Sequence, residues 1–143
     1  MTSEALERYY RRAKLREGTK PLPYLDSRGF LTIAHGHVLE KGKAVPLNAA
    51  AMHAILESDV EAKLTLCRQK LPFWDQLNDA RQEALLDMAF NGSLFESPKM
   101  IMACAEEDWQ RAYDETLDGP WKEQVGRRAY IIAEQIRTGE YQD

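Results

Sequence analysis

Two carboxylates near the N-terminus sit in positions unusual for surface residues. Glu17 lies eleven residues after Leu6 and four after Ala13. At about 100° per residue it therefore shares the apolar stripe of the helix those residues define, rather than its polar face. It also falls in the last turn before Gly18, where the helix macrodipole is negative. Burial and the dipole both disfavour the ionised form and raise the pKa, which is what a general acid working near neutral pH needs. Asp26 opens Asp26-Ser27-Arg28-Gly29, with Asp at the first and Gly at the fourth position of a common turn. A turn is also a good frame in which to fix a carboxylate.

The other polar candidates read as structural. Asp59 follows Met52 by seven residues and Ile55 by four, which puts it on the inward stripe of its helix. A buried Asp needs a partner, and His37 is a candidate, as a structural salt bridge rather than a catalytic pair. His35 and His37 form a His-x-His pair, but without a third clustered ligand no metal site is expected. Cys67 and Cys104 match no metal or redox spacing, and free thiols are expected.

Helices and a small sheet must position these groups. Leu6, Tyr9, Tyr10 and Ala13 follow the spacing of an amphipathic helix over Ser3 to Glu17 that Gly18 stops. Tyr24-Leu25 and Phe30-Leu31-Thr32-Ile33 read as two short strands around the Asp26 turn. Asn48 caps a long helix with the stripe Met52, Ile55, Leu56, Val60, Leu64, Cys67 and Leu71, ended by Pro72. Further helices are expected over Asn78 to Asn91, from Pro98, and over Gly126 to Thr138 with Ala129, Ile132, Ala133 and Ile136 inward. The class is mainly α, with one small sheet, in a single domain over 1–143.

Composition agrees with that size: 44% hydrophobic and 29% charged residues suffice for one core. No apolar run approaches the roughly 20 residues of a membrane span. The start Thr2, Ser3, Glu4 does not resemble an export signal, so a soluble chain without a cleavable leader is expected. Lys plus Arg number 19 against 23 Asp plus Glu, and the net charge of −4 argues against general nucleic-acid binding.

The strings Glu17-Gly18, Tyr24-Leu25-Asp26, Gly29 and Thr32-Ile33-Ala34-His35-Gly36-His37 resemble the glutamate, aspartate, threonine signature of the phage T4-type lysozymes. Those enzymes place the aspartate nine residues after the glutamate and the threonine six further on, as Glu17, Asp26 and Thr32 do here. His37 and Asp59 stand where the family has a structural pair. Trp121 and Arg128, seven residues apart, resemble its tryptophan and arginine, and the family's arginine pairs with the catalytic glutamate. Ile136-Arg137-Thr138-Gly139-Glu140-Tyr141 resembles the closing helix. Two features depart from the pattern. The usual Gly-x-Gly-His is Ala34-His35-Gly36-His37, so a glycine has gained a methyl group. The chain is also acidic, although Arg8, Arg11, Arg12, Lys14, Arg16 and Lys20 face only Glu17 within residues 8–20.

The resemblance implies an N-terminal lobe over 15–50, a connecting helix over 48–71, and a helical C-terminal lobe over 72–143 that includes the first helix. It implies hydrolysis of the β-1,4 bond between N-acetylmuramic acid and N-acetylglucosamine. Glu17 would protonate the leaving oxygen, and Asp26 with Thr32 would direct water to the opposite face, inverting the anomer. Arg128 limits the pKa rise of Glu17, and Trp121 serves packing. Asn91, at a helix end, is expected to touch the sugar. No metal or organic cofactor is required. The expected partner is the peptidoglycan glycan strand, with no nucleic acid, no membrane insertion and a monomeric protein. The chain would be made in the bacterial cytoplasm and act on the wall in the periplasm after delivery by a holin or a secretion machine. Two other readings are a secretion-system effector or tail-associated lysozyme with the same chemistry, and a non-catalytic glycan- or protein-binding descendant.

Overall fold

A computed structural model describes residues 3–39 and 45–143, apart from the side chains of residues 3–5, 13, 16 and 17. The first helix, α1, spans Ser3–Glu17. It stops where the sequence dictates: Gly18 takes φ +73°, and its N–H closes the last turn on the Lys14 carbonyl at 2.9 Å. Three strands follow, β1 (Lys20–Leu25), β2 (Leu31–Ala34) and β3 (His37–Val38), in the order β1-β2-β3 and antiparallel throughout. The third strand was not expected, being only two residues long; Gly36 at φ +85° allows the tight reversal that creates it.

The remaining helices are α2 (Ala49–Lys70), α3 (Asp79–Phe90), α4 (Pro98–Ala105), α5 (Trp109–Leu117), α6 (Pro120–Val125) and α7 (Arg127–Thr138). Asn48 caps α2 as expected, accepting from the Ala51 N–H at 2.9 Å, and Asn78 caps α3 through the Arg81 N–H at 3.0 Å. The helices α5 and α6 carry no long stripe, and their sequence signals are only the Asp108 cap, which accepts from the Arg111 N–H at 3.1 Å, and Pro120 at a helix start. Among the described residues no helix is long and apolar enough to cross a membrane.

The chain divides into two compact units, 1–51 and 52–143. In the first, Thr32 is the one buried residue among those described. Leu6, Tyr9 and Tyr10, expected to be the inward stripe of α1, are exposed, and no apolar residue is buried among the described residues of this unit. The second unit holds the core. The α7 stripe of Ala129, Ile132, Ala133 and Ile136 is buried as expected; α7 packs chiefly on α5 and α3, and Ala129, Ile132 and Ile136 belong to one apolar cluster with Ala84, Leu85 and Met88 of α3 and Met100 and Cys104 of α4. Each such large apolar side chain contributes about 1.5–3 kcal/mol. Gln135 is buried among them and satisfied: its amide donates to the Ala80 carbonyl at 2.8 Å and its oxygen accepts from the Gln142 N–H at 3.1 Å.

The stripe of α2 corrects an expectation. Cys67 and Leu71 are buried, but Met52, Ile55 and Leu56 are about half exposed, at 54%, 50% and 48%. Asp59, expected on a buried face, is exposed. Only the last turns of α2 enter the core of the second unit, so a carboxylate four residues after Ile55 lies at its surface. Both cysteines are free and buried. Burial pushes the Cys104 thiol up to about 12 and raises that of Cys67, so neither is a reactive thiolate.

Candidate active site

The hairpin between β1 and β2 is built around one residue, Phe30. Its N–H donates to Asp26 Oδ1 at 2.9 Å, and its carbonyl accepts both the Asp26 N–H and the Thr32 hydroxyl, each at 2.9 Å. The Arg28 N–H adds a second bond to Asp26 Oδ1 at 2.8 Å, the Asx-turn that Asp at this position favours. Asp26 and Thr32, six residues apart in sequence, are thus locked to the same backbone residue. The turn reading and the fixed-carboxylate reading of Asp26 are both true.

These contacts set the charge state of Asp26. The Phe30 N–H is the largest influence and lowers its pKa; burial opposes it, and the Arg28 N–H, the Arg28 guanidinium and the Gly29 N–H lower it further. Asp26 is therefore held ionised, as a group that accepts a proton from water must be. Thr32 is only 2% exposed, sits opposite Tyr24 on β1 and Val38 on β3, and has spent its hydroxyl hydrogen on Phe30. Its oxygen lone pairs remain as acceptors.

Glu17 ends α1, as expected, and the backbone beside it is fixed by a contact the sequence did not announce. His35, in the β2–β3 turn, donates from Nδ1–H to the Gly18 carbonyl at 2.7 Å. Its value lies in linking the end of α1 to the sheet that carries Asp26 and Thr32, and only an unusual His at a turn tip could have signalled it. The Glu17 side chain lies outside the described residues, and so do its inward orientation, its raised pKa and its pairing with Arg128. His35→Leu is expected to lower turnover about tenfold with KM little changed, while His35→Asn, whose amide can replace Nδ1–H, retains most activity. Equal losses in the two variants, measured by steady-state kinetics, would exclude this positioning.

Ala34, where the resembled family has glycine, adopts φ +59°. This left-handed conformation costs an L-residue about 1–2 kcal/mol. Ala34→Gly removes that strain but adds about 0.4–1 kcal/mol of unfolded-state entropy. A net stabilisation of about 0.5–1 kcal/mol is expected, read as a higher denaturation midpoint; a lower midpoint refutes the strain.

His37 lies in β3 opposite Ile33, half-buried. The other expected site residues belong to the second unit. Arg128 donates from Nε to Asp87 Oδ2 at 2.8 Å and from Nη2 to Asp87 Oδ1, a bidentate pair that raises the Arg128 pKa. Asp87 was missed, because one acidic residue on a partly exposed helix face gives no sequence signal. Asn91 caps α3, donating from Nδ2 to the Asp87 carbonyl at 3.1 Å. Gly92 at φ +82° follows it, and the Gly92 and Ser93 N–H groups return to Ala89 and Met88, a Schellman ending.

Asn91 and Trp121 also line a cavity of about 560 Å³, together with Glu96, Lys99, Glu115, Asp118 and Gln124. Trp121 is buried, as its packing role requires, and its indole Nε1 has no hydrogen-bond acceptor. The two units differ in charge. Residues 1–51 hold nine Lys and Arg against five Asp and Glu, a net +4, whereas residues 52–143 hold ten against eighteen, a net −8. Arg8, Arg11, Arg12 and Lys14 are exposed, which leaves the first unit able to attract an anionic polymer.

Comparison with known proteins bears on the family of the chain. The pre-baseplate central spike protein Gp5 of Enterobacteria phage T4 is 28% identical over an alignment of 153 residues that takes in 86% of this chain. The chain spans only about a quarter of that relative, 26% of its length. A sequence profile of the phage lysozyme family matches residues 14–135, a span that includes Glu17, Asp26, Thr32, Trp121 and Arg128, and the chain therefore belongs to the phage lysozyme family.

Proposed function

We propose that the protein is a muramidase that cleaves the β-1,4 bond between N-acetylmuramic acid and N-acetylglucosamine in peptidoglycan, with inversion. The observation that carries this reading is the shared anchoring of an ionised Asp26 and the Thr32 hydroxyl oxygen on Phe30. A water placed between them can donate one hydrogen to each, which points its lone pair at the anomeric carbon. Asp26 takes the proton as the carbon–oxygen bond forms. Glu17, at the end of α1, gives its proton to the departing glycosidic oxygen, and the oxocarbenium-like charge passes between the two carboxyl groups. His37 supports the site from β3 and the cations of α1 draw the anionic strand; Asn91 is assigned to sugar contact and Arg128 to support of the site on the family resemblance.

Digestion of purified sacculi tests the activity. Products should end in reducing N-acetylmuramic acid, and proton NMR during turnover should show the α-anomer first. Reducing N-acetylglucosamine, or no product, would reject the assignment; the β-anomer first would make the enzyme retaining.

Delivery has two readings. Release as an endolysin through a phage holin, acting in the periplasm as a monomer, is one. Similarity to a phage central spike protein favours a tail-associated enzyme with the same chemistry, and peptidoglycan digestion by intact phage particles from the source would identify it.

A further inference from the structure

One cation of the first unit stands beside the carboxylate that handles water without being consumed by it. Arg28 is exposed in the turn after β1, and its guanidinium lies over the Phe30 ring, 5.4 Å from the centroid. Phe30 is the residue whose backbone anchors Asp26 and Thr32, so the cation is tied to the same frame as both. It is close enough to favour the ionised form of Asp26. Yet Arg28 makes no ion pair among the described residues, and Asp26 Oδ1 is taken by the Arg28 and Phe30 backbone N–H groups. The aromatic ring attracts the charge without offering a lone pair, so the N–H donors of the guanidinium stay available. Such a fork is best matched by a carboxylate, which it can hold through two parallel bonds.

The carboxyl groups of the proposed substrate differ in how near they lie to the reaction. The lactyl group on N-acetylmuramic acid ends in a carboxyl a few bonds from the anomeric carbon of the same sugar. In peptide-bearing wall that carboxyl is an amide, and the remaining carboxylates hang farther off on a flexible peptide, whose ordering costs entropy on binding. Once the stem peptide has been hydrolysed away, the lactyl carboxylate is free and is the negative charge nearest the attacked carbon. A cation held two residues from Asp26 suits that position.

We propose that Arg28 is a specificity-determining residue that binds the free lactyl carboxylate of the N-acetylmuramic acid under attack, which gives the enzyme a preference for glycan strands already stripped of stem peptide. The choice of ligand rests on the muramidase reading. The class of reaction that supplies this substrate is hydrolysis of the amide between the lactyl group and the first amino acid of the stem.

Calorimetric titration of the full chain carrying Glu17→Gln, which suppresses turnover, tests this with a tetrasaccharide of alternating N-acetylglucosamine and N-acetylmuramic acid. Three forms are compared: free lactyl carboxylates, the same groups converted to methylamides, and stem peptides attached. The free-carboxylate form should bind about tenfold more tightly than the methylamide. Adding Arg28→Gln should remove most of that difference, and Arg28→Lys should keep part of it, since a point charge replaces the fork. Lys20→Gln, which removes an exposed charge from the start of β1, should leave the difference in place. Equal affinity for the free and amidated forms, binding of neither, or a preference that survives Arg28→Gln would overturn the proposal. An equal fall of the preference in Lys20→Gln would reduce it to general attraction and overturn it as well. So would tightest binding of the peptide-bearing form, lost in Arg28→Gln, which would assign the cation to a peptide carboxylate. Carboxylate preference without sacculus hydrolysis by the wild type would sink the muramidase reading and spare the Arg28 site; hydrolysis without that preference would do the reverse.

Discussion

Glu17→Gln is expected to lower kcat on sacculi by about 10³-fold while leaving KM and the thermal midpoint nearly unchanged. A sugar alkoxide is a poor leaving group, and a positioned proton donor contributes about 10²–10⁴-fold to such a step. Glutamine keeps the size of the side chain and loses only the transferable proton. Because the helix end is set by Gly18 and by the His35 bond to its carbonyl, the backbone should not move. Reducing-end assays measure the loss. A nitrophenyl glycoside, whose leaving group needs little protonation, should suffer much less than sacculi. A uniform loss on both substrates, or residual activity within tenfold on sacculi, removes Glu17 from the acid role.

Asp26→Asn is the second large effect, again about 10²–10⁴-fold in kcat. The asparagine oxygen can still accept the Arg28 and Phe30 N–H bonds that build the turn, so the fold persists while the negative charge and the proton acceptor are lost. A folded variant with full activity would show that water is activated elsewhere.

The pH dependence follows from the lowered pKa of Asp26. Its contribution to stability is present above the unfolded-state value, near 3.9, and is lost as pH falls through the lower folded-state value. Wild-type activity should therefore keep a deprotonated base down to pH values where an ordinary carboxylate is half protonated, and Asp26→Asn should lack that acid limb in stability. Denaturant titrations from pH 6 to pH 2 compare the two. An acid limb that begins well above pH 4 in the wild type contradicts the Asx-turn stabilisation.

Local signals in the chain carried far into the architecture. Gly18 ends α1, Asn48 and Asn78 cap their helices, and the stripe Ala129, Ile132, Ala133, Ile136 is buried, because caps, glycine stops and 3.6-residue periodicity act within a few residues of sequence. The short helices α5 and α6 were less visible, since nine and six residues give a stripe too few repeats. The stripes of α1 and the first half of α2 misled, because periodicity shows which residues share a face and not what covers that face. Asp59 was assigned to the interior on that ground and lies exposed.

By itself the sequence determined the family, the spacing of Glu17, Asp26 and Thr32, and the Asp26 turn, since each of these is written in residue types at short separations. Tertiary structure alone decided that Phe30 serves Asp26 and Thr32 together, that His35 reaches back seventeen residues to Gly18, that Asp87 holds Arg128, and that Glu96, Glu115 and Asp118 line one cavity. The reason is physical: hydrogen bonds and charges depend on distances of a few ångströms in space, and chain separation constrains those distances only within a turn.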